Sequence, residues 1–220
     1  MKFVYLSICL ILTFSMQAQL TNDETIDGLK ETLTLACNIS VKSASKKDGF
    51  NGNQMIRIPF PPEAQKMESS LRQMGMGNKV DEFIVSMNRA AEHASKEAAV
   101  IFIDAIKEMD IQDGKAILTG GNSAATNYMV DHTAVKLYMK FKPIVSASLK
   151  TVEVNKYWDP LASAYNKIPL VEDVNPDLED YATQKSIEGL FKLMAREEKN
   201  IRTLGSAQVT ESLKKLFGTK

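Results

Sequence analysis

Two adjacent carboxylates raise the question of chemistry in this chain. In MAREEKNIR, residues 194–202, Glu197 and Glu198 fall among residues that a helix places on one apolar stripe. With Met194 at zero, Leu190 falls at about −40°, Ile201 at about −20°, Ile187 at about 20° and Phe191 at about 60°. Glu198 falls at about 40°, inside that arc, and Glu197 at about −60°, on its edge. A carboxylate turned toward a core must meet a cation, take up a proton, or sit where the stripe runs out. Two carboxyls in unequal surroundings can divide acid and base roles, so Glu197 and Glu198 are a candidate catalytic pair. The plainer reading is an ion pair between Glu198 and Arg202, four residues on.

A second polar group flanks the apolar seam of residues 79–108. Asn88, Arg89 and Glu92 lie there, with Arg89 three residues before Glu92 and four before His93. Asp104 is the single charge in AVIFIDAI and has Lys107 as a neighbour at the rim. Asn88, Arg89, Glu92, Glu197, Glu198 and Arg202 are together the candidates for a polar, ligand-binding cleft between helices.

Other chemistries lack their residues. The chain has only His93 and His132, preceded at three by Ala90 and Met129, so the Glu-x-x-His pairs of helical di-iron sites are missing. Neither zinc-type Cys/His spacing nor an EF-hand loop occurs, and no metal or cofactor is expected. TGGNSAAT, 119–126, joins glycines to a helix start, which can bind an anion. It lacks the P-loop lysine, and a C-cap glycine followed by an Asn122 N-cap accounts for it. No G-x-S-x-G elbow is present. Lys plus Arg and Asp plus Glu are both 27, which disfavours nucleic-acid binding through a basic surface.

The N-terminus reads as a secretory signal. MKFVYLSICLILTFSMQAQ has a positive start at Lys2, an uncharged and mostly apolar run from Phe3 to Met16, and Ala18 before Gln19. Cleavage after Ala18 is expected, with a periplasmic or otherwise exported product. Membrane contact is expected only through that segment, if it is retained. Cleavage removes Cys9 and leaves Cys37, a small buried hydrophobe by its periodic setting, with no partner for a disulfide.

The elements that must position these side chains are helical almost throughout. Apolar residues recur at three and four over 23–45, capped by Asn22 or Asp23. KKDGFNGN breaks that helix. MIRIPFPP, 55–62, carries three prolines and reads as an extended arm, with TVEV (151–154) as a possible strand partner. A helix restarts at Pro61 or Pro62 and stops near Gly75. Residues 79–108 form the longest helix, apolar on nearly every side from Ala98 to Ile106 and therefore central. Asp110 and Asp113 resemble a cap for a short helix over 111–118. Helices follow from Asn122 to about 131, from Thr133 with a kink or break at Pro143, over 155–167, 178–203 and 206–217.

Four ordered runs carry a resemblance: SKKDGFNGNQMIRIPFP, MNRAAEHASKEA, DGKAILTGGNSAATNY and GLFKLMAREEKNIR. Over roughly residues 25–218 the chain resembles a bacterial family known as domain of unknown function 4197. The resemblance implies exported, mostly helical, single-domain proteins without an assigned activity, and it supplies no catalytic residues. One departure is Gly114, where that pattern leads one to expect alanine.

The expected fold is all-α: a single-domain multi-helix bundle around a long central helix, with a short extended Pro-rich arm. Residues 1–18 are the signal and 19–220 the domain. The expected role is an exported envelope protein that binds an envelope partner or a small ligand without catalysis. The alternatives are an enzyme using Glu197 and Glu198, or a purely structural ion-pair network.

Overall fold

The computed structural model describes residues 20–112 and 114–218. The expected signal and the Asp113 half of the short-helix cap lie outside the described residues. Eight α-helices and no strand occur among the described residues. They are α1 (Asn22–Ala44), α2 (Gln65–Gln73), α3 (Gly77–Glu108), α4 (Gly114–Thr119), α5 (Ala124–Thr151), α6 (Val154–Tyr165), α7 (Leu178–Thr203) and α8 (Glu211–Phe217). None of them is long and apolar enough to cross a membrane.

α1 starts one residue earlier than its polar residues suggest. Thr21 accepts from the Glu24 N–H at 3.1 Å, and the Glu24 carboxylate accepts from the Thr21 N–H at 2.9 Å. This reciprocal box satisfies two helix-end donors at once. Asn22, one of the two expected caps with Asp23, instead accepts from the Gly114 N–H at 3.2 Å and ties α4 to α1. Glycine at 114 has a reason there: an added Cβ would stand 2.9 Å from Ile26 Cγ1.

α3 packs on α1, α5 and α6, and less extensively on α7. Its middle is lined by Ala90, Ala91, Ala94 and Ala98, all fully buried, which lets neighbouring helices approach closely. The end of α3 is not enclosed as its apolar run suggests: Val100 is 67% exposed. Asp104 is half exposed and pairs with Lys107 at 3.6 Å.

The proline arm is extended, but it does not pair with 151–154. That segment is the joint between α5 and α6, with Glu153 in the left-handed region at φ 52°. Ile56, Ile58 and Phe60 alternate inward with Arg57 and Pro59 exposed, the two-residue period of an extended chain. Phe60 reaches an aromatic cluster, 5.2 Å from Phe83 and 5.7 Å from Trp158 between ring centres. Arm, α3 and α6 meet in that cluster.

α5 is one helix of 28 residues, where a break near 131–133 and another at Pro143 were expected. The Thr133 hydroxyl donates to the Met129 carbonyl at 2.6 Å inside the helix. Pro143 lies on the solvent side, so the bond it forfeits is not stranded in the core. Among the described residues, the core runs from Leu29 on α1 to Phe217 on α8 as one cluster.

Candidate functional site

Five of the six sequence candidates form two separate clusters with no shared partner, and Glu197 joins neither. In the first, α3 holds the loop and arm that precede α2. The Asn88 amide accepts from the Ile58 N–H at 2.8 Å and donates to the Ile58 carbonyl at 2.8 Å. It therefore stands in for the neighbouring strand that the arm lacks. Its second N–H bond goes to the Ile84 carbonyl on its own helix at 2.8 Å.

One turn along, the Glu92 carboxylate accepts from the backbone N–H groups of Phe50 and Asn51, each at 3.1 Å. Arg89 donates to Glu92 at 2.6 Å and to Asp48 at 2.7 Å. The Asn51 amide and then Arg89 hold the Asp48 carboxyl below its ordinary range, while Glu92, then Asp48, push the Arg89 guanidinium up. Asp48 is in the left-handed region at φ 63°, so these bonds fix a backbone turn that a non-glycine residue disfavours. The turn drives Phe50 into the core against Gly189, where an added Cβ would stand 2.8 Å from the ring.

In the second cluster, Glu198 is fully buried and caps a helix that is not its own. One oxygen accepts from the Ala125 N–H at 3.0 Å, the other from the Thr126 N–H and hydroxyl, each at 2.7 Å. These are the orphan donors at the start of α5, whose N-cap Ser123 makes no side-chain cap bond. A carboxylate there also meets the positive end of the helix dipole. Arg202 closes the arrangement: its Nε donates to Glu198 at 2.7 Å, and its other nitrogens donate to the carbonyls of Leu118 and Ile117 at 2.9 and 3.2 Å. Those carbonyls belong to the end of α4. One i,i+4 pair on α7 thus satisfies both ends of the turn between α4 and α5. The anion-binding geometry read in TGGNSAAT exists, and Glu198 is its anion.

Glu197 takes no part in this. It is held by Arg196 at 2.8 Å and Asn200 at 3.1 Å on its own helix. Glu198 has no open approach and no free oxygen, so the two carboxyls do not form one reactive site. Arg89 lines a surface hollow of about 430 Å³ with Asp81, Glu82 and Tyr157.

A concave apolar surface lies elsewhere, in residues outside the six candidates. A groove of about 610 Å³ runs between α5 and α7. Val130, Ala134 and Val135 form one wall, and Ile187, Phe191 and Ala195 the other. Asn127 lies at one end. At the other, Tyr138 and Gln184 both donate to Asp180. Glu188 on the rim takes Lys192 on one oxygen at 2.6 Å and Lys185 on the other at 2.7 Å. These lysines, Lys185 first, hold its carboxyl below the ordinary range. The signal in the sequence is a set of apolar residues on α5, Val135, Tyr138 and Met139, that lie off the buried face of Met129, Leu137 and Phe141. A larger cleft of about 1000 Å³, beside α6 and residues 173–179, has a mixed charged lining.

Fold and clamps define a class: an all-α domain in which buried glutamates, each paired with an arginine, hold the backbone of distant turns. The chain belongs to the family described as protein of unknown function (DUF4197), whose model matches residues 19–218. No curated protein and no solved structure matches it. The four runs that carry the resemblance pair off in space. The DGFNGN–arm run is clamped by the NRAAE run, and the TGGNSAAT run by the AREEKNIR run.

Proposed function

We propose that this is an exported, non-enzymatic binding module, and that its ligand or envelope partner seats in the groove between α5 and α7. The observation that carries the reading is the groove itself: concave, walled by apolar side chains from two helices, with a few polar groups at its ends and rim. Binding sites for small molecules have this make-up. The six polar candidates serve the fold in this reading, because the four that are buried have their polar atoms bonded to backbone and to one another. Export rests on the sequence of residues 1–18.

Native mass spectrometry of the protein isolated from the envelope fraction tests both parts. The expected result is a chain beginning at Gln19 that carries an adduct, and loss of the adduct when Ala134→Phe fills the groove. A chain found in the cytosol with residues 1–18 attached overturns export. Absence of any adduct, or an adduct indifferent to Ala134→Phe, overturns the groove.

A further inference from the structure

We infer that the larger cleft, beside α6 and residues 173–179, receives an extended basic peptide segment of another protein, independently of the groove between α5 and α7. Three observations carry this. The first is an unpaired stretch of backbone. Residues 171–177 are extended and belong to no helix, and residues 172–176 make no backbone hydrogen bond to any described residue. From Asp173 onward this segment lines the cleft. Apart from Pro176, which has no N–H, it is a short strand edge without a neighbour, and a second extended chain pairs with such an edge.

The second is charge. The lining holds Glu153, Asp159, Asp173, Asp177 and Glu179 against Lys150 and Lys156. Lys156 pairs with Glu153 at 3.4 Å, and Asp177 accepts from the Asp180 N–H at the start of α7. Asp159, Asp173 and Glu179 pair with no described cation, and of the lining lysines only Lys150 is left to offset them. The margin does not change the balance: Lys142 is matched by Asp180 at 3.9 Å, and Lys167 is offset in number by Glu172. An acidic lining favours a cationic occupant. Among the described residues no group of three acids or other ligating side chains could hold a metal ion. Cations spaced along a chain suit carboxylates spread in this way.

The third is Trp158. It is 6% exposed, with its ring against Phe60 and Phe83. Its indole N–H donates to no described group, yet the nitrogen is not sealed in the core, and the residue lines the cleft. Asn155, Asp159, Ala162 and Asn166 recur at four, three and four, which places them on one stripe of α6 beside it. A buried indole N–H ordinarily has an acceptor. Here the acceptor enters through the cleft. A peptide carbonyl supplies one, whereas a simple polyamine carries charge but no carbonyl.

The test is calorimetric titration of the protein isolated from its own cells with acetyl-Lys-Ala-Lys-Ala-Lys-amide, followed in parallel by the emission of Trp158, the only tryptophan. The peptide is expected to saturate at one per chain and to change that emission. The matching glutamate peptide and spermine are expected to bind about tenfold more weakly or not at all. Methylating the backbone nitrogens of the two alanines keeps the charge, removes two N–H donors and is expected to weaken binding about tenfold. Combining Asp159→Lys with Asp173→Lys is expected to cost about tenfold as well. Circular dichroism verifies the fold, and Asp159→Asn with Asp173→Asn replaces that pair if it does not fold. A basic peptide that does not saturate, or that binds no better than the glutamate peptide, overturns the proposal. Binding that leaves Trp158 emission unmoved, or that ignores the aspartate substitutions, lies outside the cleft and overturns it too. Spermine equal to the peptide, or indifference to methylation, removes the peptide backbone from the recognition and with it the peptide occupant.

Discussion

Replacing Glu198 by alanine strips three hydrogen-bond donors of their acceptor in one step: the N–H groups of Ala125 and Thr126, and the Thr126 hydroxyl. It also leaves the Arg202 guanidinium buried without its counter-charge. Breaking a buried ion pair by removing one partner costs about 3–5 kcal/mol. Losing a helix cap costs about 1 kcal/mol, but the stranded groups overlap, so the two figures are not summed. The expected loss is about 4 kcal/mol, a large fraction of the roughly 5–15 kcal/mol that holds a domain together. At about 2–4 °C per kcal/mol for a domain of this size, the melting temperature falls by about 8–16 °C. Urea unfolding followed by the fluorescence of Trp158, the only tryptophan, measures it. Trp158 packs on Phe60 and Phe83, outside the clamp, so it reports the whole domain and not the lesion. The control is the neighbouring residue. Glu197→Ala gives up contacts made within its own helix and is expected to cost under about 1 kcal/mol. If the two substitutions cost the same, or if Glu198→Ala costs under about 1 kcal/mol, the trans-capping argument is wrong. Combining Glu198→Ala with Arg202→Ala should recover about 0.5–3 kcal/mol of the summed losses, because the pair shares its penalty.

Three further outcomes follow from other contacts. Asn88→Asp keeps the acceptor for the Ile58 N–H but loses both donations, to Ile58 and to Ile84. It should destabilise by about 2 kcal/mol and speed hydrogen exchange at the arm amides, and unchanged exchange there contradicts the strand-partner role. The Asp48 carboxyl is held below its ordinary value, so its stabilisation is complete above the unfolded pKa of about 3.9 and fades as pH falls through the lower folded value. The acid limb of a stability–pH curve should therefore flatten in Asp48→Asn, and an unaltered limb removes Asp48 from the account. Burial pushes the Cys37 thiol up to about 12, so alkylation at pH 8, read on the Cys37 peptide by mass spectrometry, should proceed only as fast as the chain unfolds. Rapid labelling of the folded protein contradicts its burial.

The helices were legible because an apolar residue every three or four positions has few other meanings. Residues 23–45, 79–108 and 178–203 were read within one or two residues of α1, α3 and α7. The i,i+4 partner of Glu198 was legible for the same reason. Its other partners were not, because Ala125 and Thr126 offer backbone groups, and backbone N–H looks the same at every position. The strand expected beside the arm failed on that point too: the arm needed a partner, and one amide side chain on α3 supplied it. Pro143 misled because proline breaks a helix by removing a donor, yet sequence does not say whether the freed carbonyl faces solvent. Val135 and Met139 were visible as residues but not as a surface, since their exposure depends on what α3 and α7 leave uncovered.

The partners of Glu198 on α5 lie 72 and 73 residues away from it along the chain. A polypeptide that emerges N-terminus first exposes the whole of α5 long before the acid that closes its leading end has arrived. Until then, the start of α5 must borrow water or fray. Contacts of such long range are slow to form, and here one of them completes the turn. Final consolidation of the middle of this protein is thereby tied to the release of its tail, and a chain cut short of residue 198 lacks the means to finish folding there.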